Sequence, residues 1–193
     1  MYLKKQSEFQ YPVGLISVIE DIQGGGTIAR ADVKSVVDEL PPLVVVGKDS
    51  NGLYHVVKTA KMQAAAGATD TAYKVVKGHL FVVGDVITPS GLAKVAAAIT
   101  AIDKTNADYD TITVGATLTA AAKDSILVLA NAAAAAGSAA YKYTPSAITM
   151  NKVDTTVANQ TSGLLARGTL QESAMPYPVD TTIKALLPLI RFQ

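Results

Sequence analysis

The chain has 193 residues, a formal net charge of +1, no cysteine and no tryptophan, with 17% charged and 49% hydrophobic residues. That length can bury a core without metal or disulfide staples, and the missing thiols exclude disulfides and cysteine chemistry. Near-neutrality excludes a whole-chain basic field for nucleic acid and an acidic tail, and no apolar run reaches the roughly 20 residues that a membrane helix needs.

A chain this poor in charge is expected to bury part of its surface between subunits, unless alanine simply occupies exposed positions. Lys4 and Lys5 are followed by Ser7-Glu8-Phe9-Gln10 rather than by an apolar stretch, so a secretory leader is not expected. Residues 1–26 read as an arm. Tyr11-Pro12-Val13-Gly14 is extended or turning because proline restricts itself and its predecessor. Residues 13–22 suit a strand or a short helix, and Gly24-Gly25-Gly26 reads as a flexible joint. Residues 27–42 read as a short helix, over residues 31–40, and linker. Val33, Val36, Val37 and Leu40 recur at helical spacing, Asp32 suits a helix start, and Pro41-Pro42 ends the element.

From Leu43 the pattern turns to strands, so residues 43–193 are expected to form a β-rich domain. Residues 43–58 predict a hairpin about Asp49-Ser50-Asn51-Gly52. Residues 73–88 predict two short strands and the start of a third, broken at Lys77-Gly78-His79 and at a Gly84-Asp85 hairpin turn. Alanine gives residues 94–102 some helical propensity, but the turn-forming residues 103–108 and the alternation of residues 109–114 favour a strand pair. Residues 125–129 form another apolar run. Residues 132–136 suit either one helical turn or a small-residue contact. Residues 164–172 predict a strand, Pro176-Tyr177-Pro178 a stiff corner, residues 181–187 a short helix capped by Asp180, and residues 189–192 a last strand. The expected fold class is mainly β (α+β): a compact β-barrel or sandwich-like domain with two short helices and an extended N-terminal arm.

Catalytic vocabulary is thin. His55 and His79, even with Asp49 or Asp85, lack metal-ligand spacing. Asp103-Lys-Thr-Asn-Ala-Asp-Tyr-Asp110 is rich in oxygen but departs from a calcium loop, with Val114 where glutamate is needed. Gly24-Gly25-Gly26-Thr27 lacks the lysine of a phosphate loop. Asp38-Glu39 are adjacent and do not face one another on a helix. No nucleophilic triad is nominated by spacing. Neither a metal nor a cofactor is expected, nor an enzyme. Tyr141 and Tyr143 would share one face of a strand and could stack on a sugar ring.

Three segments carry a resemblance. The first is Leu40-Pro-Pro with Val46-Gly-Lys-Asp-Ser-Asn-Gly-Leu-Tyr-His55. The second is Tyr73-Lys-Val-Val-Lys-Gly-His79 with Val83-Gly-Asp-Val-Ile87, continued by Ile99-Thr-Ala-Ile-Asp103 and Asn106-Ala-Asp-Tyr-Asp110. The third is Arg167-Gly-Thr169 with Pro176-Tyr-Pro-Val179 and Ile183-Lys-Ala-Leu186. Together, over most of residues 40–193, they resemble the head fibre and auxiliary capsid (decoration) proteins of tailed phages. The resemblance implies a virion component on the outer capsid surface, a homo-oligomer of trimeric type, and the major capsid protein as partner. From charge and apolar patterning, neither a nucleic-acid nor a membrane partner is expected. No heptad seam or collagen period is present, so a compact knob is expected rather than a shaft. Tyr11, Pro12, Val13, Leu15 and Ile16 are the expected capsid contacts, with residues 2–22 expected to be removable without unfolding the β domain. The alternative is a carbohydrate-binding or host-adhesion module using Tyr141 and Tyr143 on a host-surface glycan.

Overall fold

The computed structural model describes residues 13–89, 95–135 and 139–193. In chain order the strands begin with β1 (Leu15–Asp21), β2 (Gly26–Ile28), β3 (Glu39–Leu40), β4 (Val45–Lys48), β5 (Tyr54–Val56), β6 (Thr59–Lys61), β7 (Ala72–Val76) and β8 (Val86–Pro89). They continue with β9 (Ala97–Asp103), β10 (Tyr109–Val114), β11 (Ile126–Leu129), β12 (Pro145–Thr149), β13 (Val153–Asp154), β14 (Gln160–Ser162), β15 (Leu164–Leu170) and β16 (Ile190–Phe192). One α-helix, α1 (Thr181–Leu186), and two single 3₁₀ turns complete the described elements. The protein is therefore mainly β, with curled sheets in a half-barrel and sandwich-like arrangement.

The main sheet runs β1-β15-β12-β4-β5-β2-β14, and β16 lies parallel to β15. Its centre is apolar on both faces. Val45, Ile148 and Leu165 enter one core, while their neighbours Val46, Ala147 and Leu164 enter the other. Side chains alternate across a strand, so continuous apolar runs such as Leu43-Val-Val-Val46 can feed both sides. The second sheet runs β6-β11-β8-β9-β10-β7 and curls around Tyr73, Phe81, Ile112 and Leu127. Its outer strands touch at a Met62–Val75 bridge, and the Gln63 amide donates to the Lys74 carbonyl at 2.9 Å.

Strand β11 joins the two units. Leu127 and Leu129 point into the half-barrel, whereas Ile126 and Val128 pack with Leu165, Leu170 and Ile183 against the main sheet. Nearby, Lys58 Nζ donates to Asp85 Oδ2 at 2.8 Å, with only 4% and 11% of the two side chains exposed. Each charge is matched on leaving water, and Asp85 Oδ2 also accepts from the Val82 amide.

Several expectations hold in detail. The 43–58 hairpin is β4–β5, and Asp49 Oδ1 accepts from the amides of Asn51 and Leu53 to shape its turn. The strand pair around residues 103–108 is β9–β10. Asp180 caps α1, accepting from the Ile183 amide at 2.7 Å.

Others change. The expected helix over residues 31–40 is a 3₁₀ turn at Arg30–Asp32, a further turn about Val33, and β3. Its apolar spacing still buries Val33 and Leu40. β-branched residues weaken a short helix, and a competing strand partner, β13, takes Leu40 opposite Val153. Of the expected arm, residues 15–21 are β1 in the main sheet. Nor is the triple glycine a loose joint: Gly24 and Gly25 adopt φ of 80° and 69° in a turn. Gly26 opens β2, where a Cβ would meet Leu164 Cδ1 at 2.4 Å and Tyr54 Cδ2 at 2.5 Å. The Gly84-Asp85 hairpin is also absent. Residues 80–83 are not a strand; β7 pairs with β10, and β8 with β9 and β11.

Truncating Leu127 leaves a cavity at the strand shared by both cores. Leu127→Ala should lower stability by about 2–5 kcal/mol, against about 0.5–2 kcal/mol for loss of the helix cap in Asp180→Ala. Urea denaturation of both variants measures the order.

Candidate functional site

The strand carrying the expected contacts is an edge. β1 ends the path of the main sheet, and no described strand lies on its outer side. Leu15 and Val18 turn inward and pack against the core, as their partners Leu170 and Gly168 dictate. Val13, Ile16 and Ile19 face solvent, at 91%, 55% and 63% exposure. Register shifts between Leu15 and Ser17 and between Val18 and Glu20 explain the pattern. A bulge adds a residue on one strand, so apolar side chains leave the in–out alternation and reach the surface. Ile16 lines a shallow groove with Gln171, Glu172, Ser173 and Gln193. Glu20, opposite Arg167, and Asp21 place charge at the far end of β1. An edge of this kind exposes backbone donors and acceptors and apolar side chains together, the requirement for pairing with another chain.

The structure thus sorts the expected contacts. Val13 and Ile16 are exposed, Leu15 belongs to the core, and Tyr11 and Pro12 lie outside the described residues. Ile19 joins the exposed set, and sequence reading missed it. Its signal was present in the Leu15-Ile16-Ser17-Val18-Ile19 run, which has one apolar residue too many for simple alternation.

Tyr141 and Tyr143 do not form a shared strand face. Neither lies in a named strand, Tyr141 is only 8% exposed, and Tyr143 stacks on His55 with ring centroids 3.9 Å apart. The Tyr141 hydroxyl is buried without a hydrogen bond, and burial first, then the Asp180 charge, pushes its pKa up.

His55 sits between two acids: Nδ1 is 2.7 Å from Asp32 Oδ2, and Nε2 is 3.5 Å from Asp49 Oδ2. Burial opposes the Asp49 charge, but hydrogen bonds from Leu53, Asn51 and His55 outweigh it and hold the carboxyl below its usual range. Both imidazole nitrogens are engaged, so the cluster ties the 3₁₀ turn at Asp32 to the β4–β5 hairpin. His79, expected in a turn, is 4% exposed. Among the described residues no group of three or more His, Asp or Glu side chains is placed to hold a metal ion.

No family model matches this chain, and no curated protein or solved structure matches it.

Tyr73 and Tyr141, both buried, offer a contrast. Tyr73 Oη donates to the Asp70 carbonyl at 2.7 Å and accepts from the buried Leu118 amide at 3.1 Å, whereas Tyr141 Oη does neither. Tyr73→Phe should cost about 1–3 kcal/mol by orphaning that amide, while Tyr141→Phe should be neutral or stabilising. Thermal denaturation of the two variants measures the difference.

Proposed function

We propose that this is a structural virion protein, a phage head fibre or capsid decoration protein that binds the outer surface of the assembled capsid. There it stabilises the shell or displays a host-facing surface. The observation that carries the reading is β1: an edge strand whose Ile16 and Ile19, with Val13 just before it, are turned to solvent while Leu15 and Val18 anchor it to the core. The three-segment resemblance supplies the partner, the major capsid protein, and the homotrimer. Fixed anchoring favours binding, because a strand already held in shape loses less conformational freedom than a free arm would. Many weak contacts repeated over a lattice then act together.

The position of β1 also changes the test. Removing residues 2–22 would strip a strand from the main sheet, so loss of binding would be indistinguishable from unfolding. A double substitution of exposed residues, Ile16→Asp with Ile19→Asp, avoids this. Burying one such side chain contributes about 1.5–3 kcal/mol, so the double variant should bind capsids at least on the order of tenfold more weakly while melting like the parent. Cosedimentation with assembled capsids lacking the protein measures it. Saturation at the parental concentration would remove β1 as the contact. Absence of the chain from purified particles, by mass spectrometry with copy number, would sink the virion assignment itself.

A further inference from the structure

The half-barrel is pinned at one end of its seam and open at the other. Above, Met62 bridges Val75. Below, β6 and the end of β7 diverge around a cleft of about 540 Å³, lined among others by Thr59, Lys61, Val76, Lys77 and His79 and bounded by Tyr177. The turn on this cleft leads directly into the two cores: Leu80 packs with the main sheet and Phe81 inside the half-barrel.

We infer that His79 is a proton-operated latch on this seam, whose protonation releases the turn at residues 77–81 and widens the cleft between β6 and β7. The Phe81 amide donates to His79 Nδ1 at 3.2 Å, which places the proton of the neutral ring on Nε2. A second proton would land on Nδ1 and set one donor against another. The His79 side chain is 1% exposed, and its Nε2 makes no hydrogen bond, standing 3.4 Å from Asp110 Oδ2. Among the described residues, Asp110, on β10, is the carboxylate paired with the ring, and Lys77 already holds that carboxylate at 3.0 Å. Lys104, and Lys58 with its partner Asp85, bring further cations against a charged imidazole.

The direction follows from linkage. Burial first holds the His79 pKa below the ordinary 6.5, with Asp110 pulling the other way and Lys104 and Lys58 adding to the depression. An opened turn regains the ordinary value and binds the proton more readily. Closure is therefore favoured at neutral pH and progressively lost as pH falls below the ordinary histidine range, down to the depressed value.

The chain has two histidines, so the assignment is direct by NMR. Both imidazoles and the Phe81 amide would be followed from about pH 8 to about pH 5. The latch requires the Phe81 amide to lose hydrogen-exchange protection in the same step in which His79 takes up its proton. His79→Asn supplies a carbonyl acceptor that does not titrate, and should keep Phe81 protected throughout. Unchanged protection across the His79 titration, or equal loss in His79→Asn, would overturn the latch. If that variant does not fold, the parent decides alone: coincident steps support the latch and separated steps refute it.

Discussion

The fold depends on strands that are apolar on both faces. β11 is the sharpest case, because all four of its residues are buried and they divide between two cores. Leu127 and Leu129 close the half-barrel; Ile126 and Val128 seal the main sheet. Neither sheet could leave that strand exposed on one side without presenting a row of branched side chains to water, at about 25 cal/mol for each Å² uncovered. The two sheets are thus obliged to pack together. The same logic recurs around the seam, where adjacent Leu80 and Phe81 enter different cores. The buried Lys58–Asp85 pair adds specificity at this junction rather than much net energy, since desolvation of two charges offsets most of their attraction.

This arrangement explains which parts of the structure were legible in the sequence. Turn chemistry was the clearest signal: Asp49 with Gly52, and Asp180 before α1, act locally and need no distant partner. Apolar runs correctly announced buried strands. What could not be read was pairing between strands distant in the chain. Nothing local in residues 80–83 says that β7 pairs with β10 instead of folding back on its neighbour, because that choice is made by distant strands. Residues 31–40 show the same effect. Their helical spacing was real, and Val33 and Leu40 are buried, yet β13 captured the end of the segment.

The candidate site was legible to the same degree and for the same reason. A charge-poor composition and the expected glycine joint pointed to the segment around residues 11–16, but only the register of β1 against β15 decides which side chains face outward. Leu15 and Ile16 look equivalent in the sequence; a bulge sends one to the core and leaves the other at the surface. Tyr141 and Tyr143 do not share a strand face through the converse error, alternation assumed where no named strand forms. His79 looked like a polar turn residue because a glycine precedes it; Phe81 beside it is local, but Asp110, which faces the buried ring, lies on β10, an element that no local window contains.

An exposed apolar edge is a hazard as well as an opportunity, and β1 carries features that separate the two. A flat, regular edge strand would accept any extended chain, including another copy of itself. The bulges in β1 break that regularity, and Glu20 and Asp21 put negative charge at one end. Bulges and edge charges both act against indiscriminate strand addition, while Ile16 and Ile19 still offer apolar area to a surface of matching shape. Selectivity on this reading comes from an edge made poor for generic pairing. Inward-facing Leu15 and Val18 hold the irregular strand in place, so the same seven residues seal the main core and define what can dock against it.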